Sequence, residues 1–198
     1  MRPCAILAAL SAAPVRPGGR RYWQAMKEII HQFDVSAHRE QLAALWEQVF
    51  GYSSPHNAPQ FVIDKKQAVG DGLLFVAEAD GKIVGSIMAG YDGHRGWLYS
   101  VAVLPDYRKQ GIGSRLVQHA EKHLRDLGCP KINLQILQGN EEVEYFYRKL
   151  GYETEQRISM GKKIVENIRS AKPGAPPNGG PATPLDNSEA GKGPPSVR

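Results

Sequence analysis

Cysteine is scarce: Cys4 and Cys129 are the only two in 198 residues. A disulfide framework and a zinc site of several thiolates are excluded on that count. No apolar run approaches the 18 residues a membrane-spanning helix needs. The six histidines (His31, His38, His56, His94, His119, His123) show no metal spacing with cysteine or carboxylate partners. His119 and His123, four apart on one predicted helix, read as a solvated face. Two phosphate-binding signatures, G-x-x-x-x-G-K-[ST] and G-x-G-x-x-G, are missing, and no serine sits in a nucleophile elbow. What remains is a chain with 41% apolar residues, long enough for one real core with appendages.

The net charge of +5 suggests at first an anionic polymer or membrane partner. Its location argues otherwise. Residues 1–25 hold Arg2, Arg16, Arg20 and Arg21 with no acid, whereas residues 26–170 hold 18 basic and 18 acidic side chains. The presumed domain is neutral, which disfavours a general nucleic-acid face and leaves room for a local basic site. Residues 171–198 contain seven prolines and five glycines, too little apolar surface to offset chain entropy. The expected organisation is an N-terminal extension over 1–25, a domain over 26–168 and a Pro/Gly-rich disordered tail over 169–198. The start, Met1-Arg2 followed by AILAALSAA, has the outline of a secretory signal; a real extension or an upstream start is the other reading. With the extension set aside, a cytoplasmic location is expected, with no membrane partner.

Inside the domain, KEIIHQF (27–33) reads as a strand and Ser36 as the N-cap of a helix carrying Leu42, Leu45, Trp46, Val49 and Phe50 to Gly51. A loop over 51–60 and a helix over 61–69 follow. Leu73–Ala79, Asp80-Gly81 and Ile83–Tyr91 form a hairpin, and DGHRG (92–96) turns into a strand over 97–104 that Pro105 stops. A helix is predicted over 115–127, with its apolar stripe beginning at Ile112, then a strand over 131–137, a helix over 141–150 and a last strand from Tyr152. Cys129 reads as a buried thiol.

The stretch VAVLPDYRKQGIGS (101–114) carries the chemistry. A strand stops, a loop supplies Arg108 and Lys109, and Gly111 and Gly113 open a helix. Unpaired N–H groups at a helix start hold anion oxygens, glycine lets the backbone come close, and Arg108 adds a directed fork. A tight strand-to-helix turn that merely needs glycine is the plainer reading of the same glycines.

Arg108, Gly111 and Gly113 in R-x-x-G-x-G, after V-A-V and Pro105, resemble the acetyl-CoA pyrophosphate loop of the GNAT N-acetyltransferase superfamily. Asn140, Tyr147 and Leu150-Gly151-Tyr152 resemble its N-x7-Y-x-x-L-G-[FY] signature, and the DGHRG and GCPKI segments are similar to its YpeA-like bacterial branch. The resemblance implies an α/β fold: a mixed sheet of about six to seven strands, its fourth and fifth splayed apart, flanked by about four helices. It implies acetyl-CoA as cosubstrate, no metal, and an amine acceptor, either a small molecule or a protein amine; a homodimer is compatible. Pantetheine would follow Val101, Ala102 and Val103. The pyrophosphate would sit on Arg108, Lys109, Gln110, Gly111, Ile112, Gly113 and Ser114, with Asn140 meeting the arm from the other side.

Tyr147 is the expected general acid for the departing thiolate; its alternative is an aromatic packed beside Tyr145 and Phe146. The family's glutamate near the start of the fourth strand has no counterpart in Trp97–Val103. Asp92 and His94 in the preceding turn are the candidate bases, unless the amine arrives neutral or a water chain serves. Trp46, Phe50, Tyr52 and His56 lie where this family covers its acceptor. The expected function is acetyl transfer to a primary amine in a ternary complex. The alternative is a catalytically weak acyl-CoA-binding sensor or interaction module.

Overall fold

Asp80 and Gly81 both adopt left-handed backbone angles, φ 51° and 76°, as a two-residue hairpin turn matched to strand twist requires. They join β2 (Leu74–Ala79) to β3 (Lys82–Tyr91). β4 (Gly96–Val103) pairs antiparallel with β3, and β1 (Ile29–Gln32) with β2. β5 (Ile132–Asn133) runs parallel to β4, giving the order β1-β2-β3-β4-β5. The computed structural model describes residues 28–51, 55–162 and 164. The N-terminal extension, Tyr52 and the Pro/Gly-rich tail lie outside the described residues.

Two helix groups cover opposite faces of the sheet. α1 (Val35–Phe50) packs on β3 and β4, with α2 (Pro59–Val69) against it. α3 (Ile112–Asp126) lies on the other face, followed in the chain by α4 (Glu141–Lys149). β3 records this division residue by residue. Ser86 accepts a hydrogen bond from the Trp46 indole of α1 (2.8 Å). A Cβ on Gly85 would meet Leu116 of α3 at 3.0 Å. Even positions thus face α1 and odd positions face α3.

Trp46, Phe75, Leu42, Ile63, Ile87, Leu116 and Leu124 are fully buried, each large apolar side chain worth about 1.5–3 kcal/mol over leaving it exposed. α2 is tethered as well: the Lys66 ammonium reaches Asp71 (2.7 Å) and the Ala89 carbonyl on β3.

Several expectations change. The N-cap of α1 is Asp34, not Ser36; its carboxylate accepts from the Ser36 and Ala37 amides at 2.8 and 2.9 Å and from the Ser36 hydroxyl at 2.5 Å. A carboxylate complements the positive helix end better than a hydroxyl does. His119 and His123 are not a solvated face: both rings pack on Phe75, with centroids at 4.7 and 4.6 Å. Cys129 is half-buried, with its thiol 3.2 Å from the Lys131 carbonyl.

The predicted strand over 131–137 narrows to Ile132–Asn133, and no strand forms from Tyr152 among the described residues. Among the described residues the sheet therefore has five strands, against the six or seven expected. Side chains link the segment after Tyr152 to the one after Pro130, through Lys131 with Glu155 and Gln135 with Ser159.

Candidate active site

β4 is eight residues long, yet it pairs with β5 only at Gly96 and Trp97. Beyond them the chain after β5 diverges, and Leu134, Ile136 and Leu137 face Val101 and Val103 across a cavity of about 730 Å³. The fourth and fifth strands are splayed as expected. Their separation leaves the facing edge of β4 without a strand partner from Leu98 onward.

A bulge changes which way β4 points. Met88 pairs with Tyr99 and Ser86 with Ala102, so Ile87 opposes both Ser100 and Val101. Ser100 takes φ 47°, a left-handed value uncommon outside glycine. Tyr99, opposite an even position of β3, faces α1. Val103, opposite Gly85, faces α3, where a Cβ on Gly113 would meet it at 3.8 Å. The cavity consequently passes through the sheet, from α1 and α2 on one side to α3 and α4 on the other.

Its α3 end has the chemistry of an anion cradle. Gly111 is the N-cap of α3 at φ 80°, and no side chain caps it. Lys109 is also left-handed, at φ 60°. Arg108, Lys109, Gly111, Ile112, Gly113 and Ser114 all line the cavity. Open N–H groups and two cations thus share one mouth. The Arg108 Nε donates to the Val103 carbonyl (3.1 Å). Arg115, which the sequence reading missed, donates to the Gln110 carbonyl (3.1 Å) and pairs with Glu28. A Cβ on Gly111 would stand 2.7 Å from the Arg115 guanidinium.

Two expected contacts are not at the cavity wall. Ala102 is buried on the far face, and the Gln110 amide donates to the Asp106 carbonyl (3.2 Å). Asn140 lines the cavity and caps α4, with its side-chain oxygen accepting from the Val143 amide.

Tyr147 is 7% exposed and lines the cavity from α4. Its ring packs edge-on against Phe146 (5.0 Å) and Tyr152 (5.4 Å). Its hydroxyl has no hydrogen-bond partner among the described residues, unlike that of Tyr152, which donates to Glu121 (2.8 Å). Burial pushes the Tyr147 phenol well above the ordinary tyrosine range, so it carries its proton at any physiological pH.

Neither candidate base lines the cavity. The Asp92 carboxylate is fixed in its own turn by the Arg95 and His94 amides (2.6 and 2.7 Å), which hold it below the usual carboxylate value. Of the earlier aromatic candidates, Phe50 lines the cavity. Trp46 is core, and His56 lies in the short 3-10 turn Pro55–Asn57 away from the lining.

A model of the acetyltransferase (GNAT) family matches residues 38–152. The chain belongs to the GNAT family. An acetyltransferase of Pectobacterium atrosepticum is 43% identical over 128 residues, 65% of this chain and 90% of that protein. Two solved folds are similar. One is PaiA N-acetyltransferase from Thermoplasma acidophilum in complex with coenzyme A, at TM-score 0.58 and 20% identity, covering 67% of this chain and 94% of that one. The other is the aminoglycoside N-acetyltransferase AAC(6')-Iy in complex with CoA, at TM-score 0.58 and 20% identity, covering 76% and 100%. Family membership makes acetyl transfer the general activity of this GNAT chain.

One histidine cluster went unseen in the sequence. His31, His38 and Glu78 converge, with ligand atoms within 4.8 Å of one another. The Asp34 amide donates to Nδ1 of His38 (2.9 Å), which leaves the proton on Nε2, the atom facing Glu78. That tautomer suits a hydrogen-bonded cluster rather than a metal ligand set.

Proposed function

We propose that this GNAT chain transfers acetyl from acetyl-CoA to a primary amine by direct attack within a ternary complex. The observation that carries the proposal is one cavity lined both by the uncapped start of α3 and by Tyr147, whose hydroxyl has no hydrogen-bond partner among the described residues. Gly111 and Gly113 keep Cβ atoms out of a space that Arg115 and Phe146 already border at 2.7 and 3.4 Å, so backbone N–H groups can meet pyrophosphate oxygens. Arg108 and Lys109 add positive charge there. The free edge of β4 accommodates an extended pantetheine arm much as it would an added strand.

Acetyl-CoA supplies the thioester. As the amine nitrogen bonds to the acetyl carbon, the carbon–sulfur bond breaks and its electron pair stays on sulfur. Tyr147 holds a proton for that sulfur, and the new ammonium proton leaves to water. Positioning both reactants supplies most of the acceleration.

Titration calorimetry with acetyl-CoA, together with thiol release over a panel of amines, tests this reading. Binding that Gly111→Glu abolishes, with amine-dependent release in the wild type, is the expected result. Binding without release under any amine favours an acyl-CoA sensor instead, a reading kept open by the absence of a carboxylate on β4. No binding overturns both.

A further inference from the structure

The cavity wall beyond the bulge differs chemically from the α3 end. Val49 of α1, Val62 of α2, Met88 of β3, and Trp97 and Tyr99 of β4 form it, with Phe50 at its border. The Trp97 and Tyr99 rings are nearly parallel, 16° apart with centroids at 6.3 Å, and stack on one another. Asn57 and Ser100 supply its polarity. Among the described lining residues the charged ones are Arg108, Lys109 and Glu142. The first two belong to the anion cradle and the third to the first turn of α4. Among the described lining residues no carboxylate stands on the α1–α2 side; Asp92, in the turn after β3, lies outside the lining, near enough for its charge to raise the Tyr99 phenol after burial has done so.

Resting on the transfer reading above, we infer that the acceptor is a primary monoamine carried on an apolar, preferably aromatic, body. A polycation needs a negative charge for each buried ammonium, because an unpaired buried charge is costly. The described residues lining the wall toward α1 and α2 provide none. An aromatic body instead gains by stacking on Tyr99 and Trp97. The same wall accounts for the missing base. Desolvation disfavours the ammonium form, so the amine gives its proton to solvent water before it enters and attacks neutral. The specificity residues are Tyr99, Met88 and Val62.

The test compares kcat/KM for 2-phenylethylamine, spermidine and neamine at saturating acetyl-CoA. Acetyl-CoA binding is measured on the same preparations. The expected result favours 2-phenylethylamine by at least about tenfold. Its pH profile should inflect at the free amine's own pKa, and move when an amine of different pKa is used. Tyr99→Ala, at a position 45% exposed, should raise the KM for 2-phenylethylamine about tenfold and leave the acetyl-CoA Kd unchanged. Equal or better use of a polycation, turnover of none of the three, or an inflection common to all amines overturns the inference, while acetyl-CoA binding with release by any other amine of the panel leaves the transfer reading standing. Failure to bind acetyl-CoA removes the transfer reading, and the inference with it.

Discussion

Ser86 has no accessible surface, and its hydroxyl is engaged on both sides. It accepts from the Trp46 indole (2.8 Å) and donates to the Ser100 carbonyl (3.4 Å). The contact ties a fully buried helix residue to the left-handed position of the β4 bulge. Ser86→Ala leaves the indole N–H without its partner, a loss of about 1–3 kcal/mol. Urea unfolding should show a lower midpoint at unchanged slope; an unchanged midpoint would mean that the indole finds another acceptor. None of this was readable in the sequence. A serine between Gly85 and Ile87 looks like an ordinary strand residue, and its role comes from a helix forty positions away. The place of Tyr147 at the cavity wall could be expected, because its spacing from Asn140 and Leu150-Gly151 matches a local family motif.

Among the elements, α1 depends on a cap that composition hid. Asp34 and Ser36 are both competent N-caps, and tertiary placement selects Asp34, whose extended backbone (φ −110°, ψ 125°) aims its carboxylate at the first amides. Asp34→Ala should lower the thermal midpoint, Asp34→Asn should largely restore it, and Ser36→Ala should matter less. The midpoints of the three variants measured side by side check this order. Hairpin turn, helix stops and helix α3 followed directly from the chain, because Asp80-Gly81, Gly51 and the Ile112–Leu124 stripe act within a few residues. The extent of β5 did not follow. KINLQIL alternates well, but its pairing depends on β4, which stays beside it for two residues only. The bulge that turns Tyr99 and Val103 to opposite faces is likewise a property of two strands together.

At the scale of the whole molecule, titration sets the limits of stability. Hydrogen bonds hold the carboxyls of Asp34, Asp126, Glu144 and Glu155 below their ordinary values, chiefly through Ser36, Lys122, Arg148 and Lys131 respectively. Burial likewise lowers His119. Each group binds its proton less tightly when folded, so its contribution is complete above the unfolded pKa and is lost as pH falls through the depressed folded value. Tyr147 and Tyr152 are raised, mainly by burial. Their contribution is complete below about pH 10 and is lost above it. Thermal midpoints should therefore decline first below about pH 6.5 as His119 begins to charge, more steeply below about pH 4, and again above about pH 10. A flat midpoint from pH 7 to pH 3 would contradict these assignments.

Tyr147, whose phenol keeps its proton through burial, lines the same cavity as the start of α3. Turnover of Tyr147→Phe with an accepted amine, at saturating acetyl-CoA, is the most direct test of that arrangement. kcat should fall by about 10²–10⁴-fold while the acetyl-CoA Kd stays within about twofold of wild type, since only a hydroxyl is removed. Wild-type turnover by Tyr147→Phe would contradict the account.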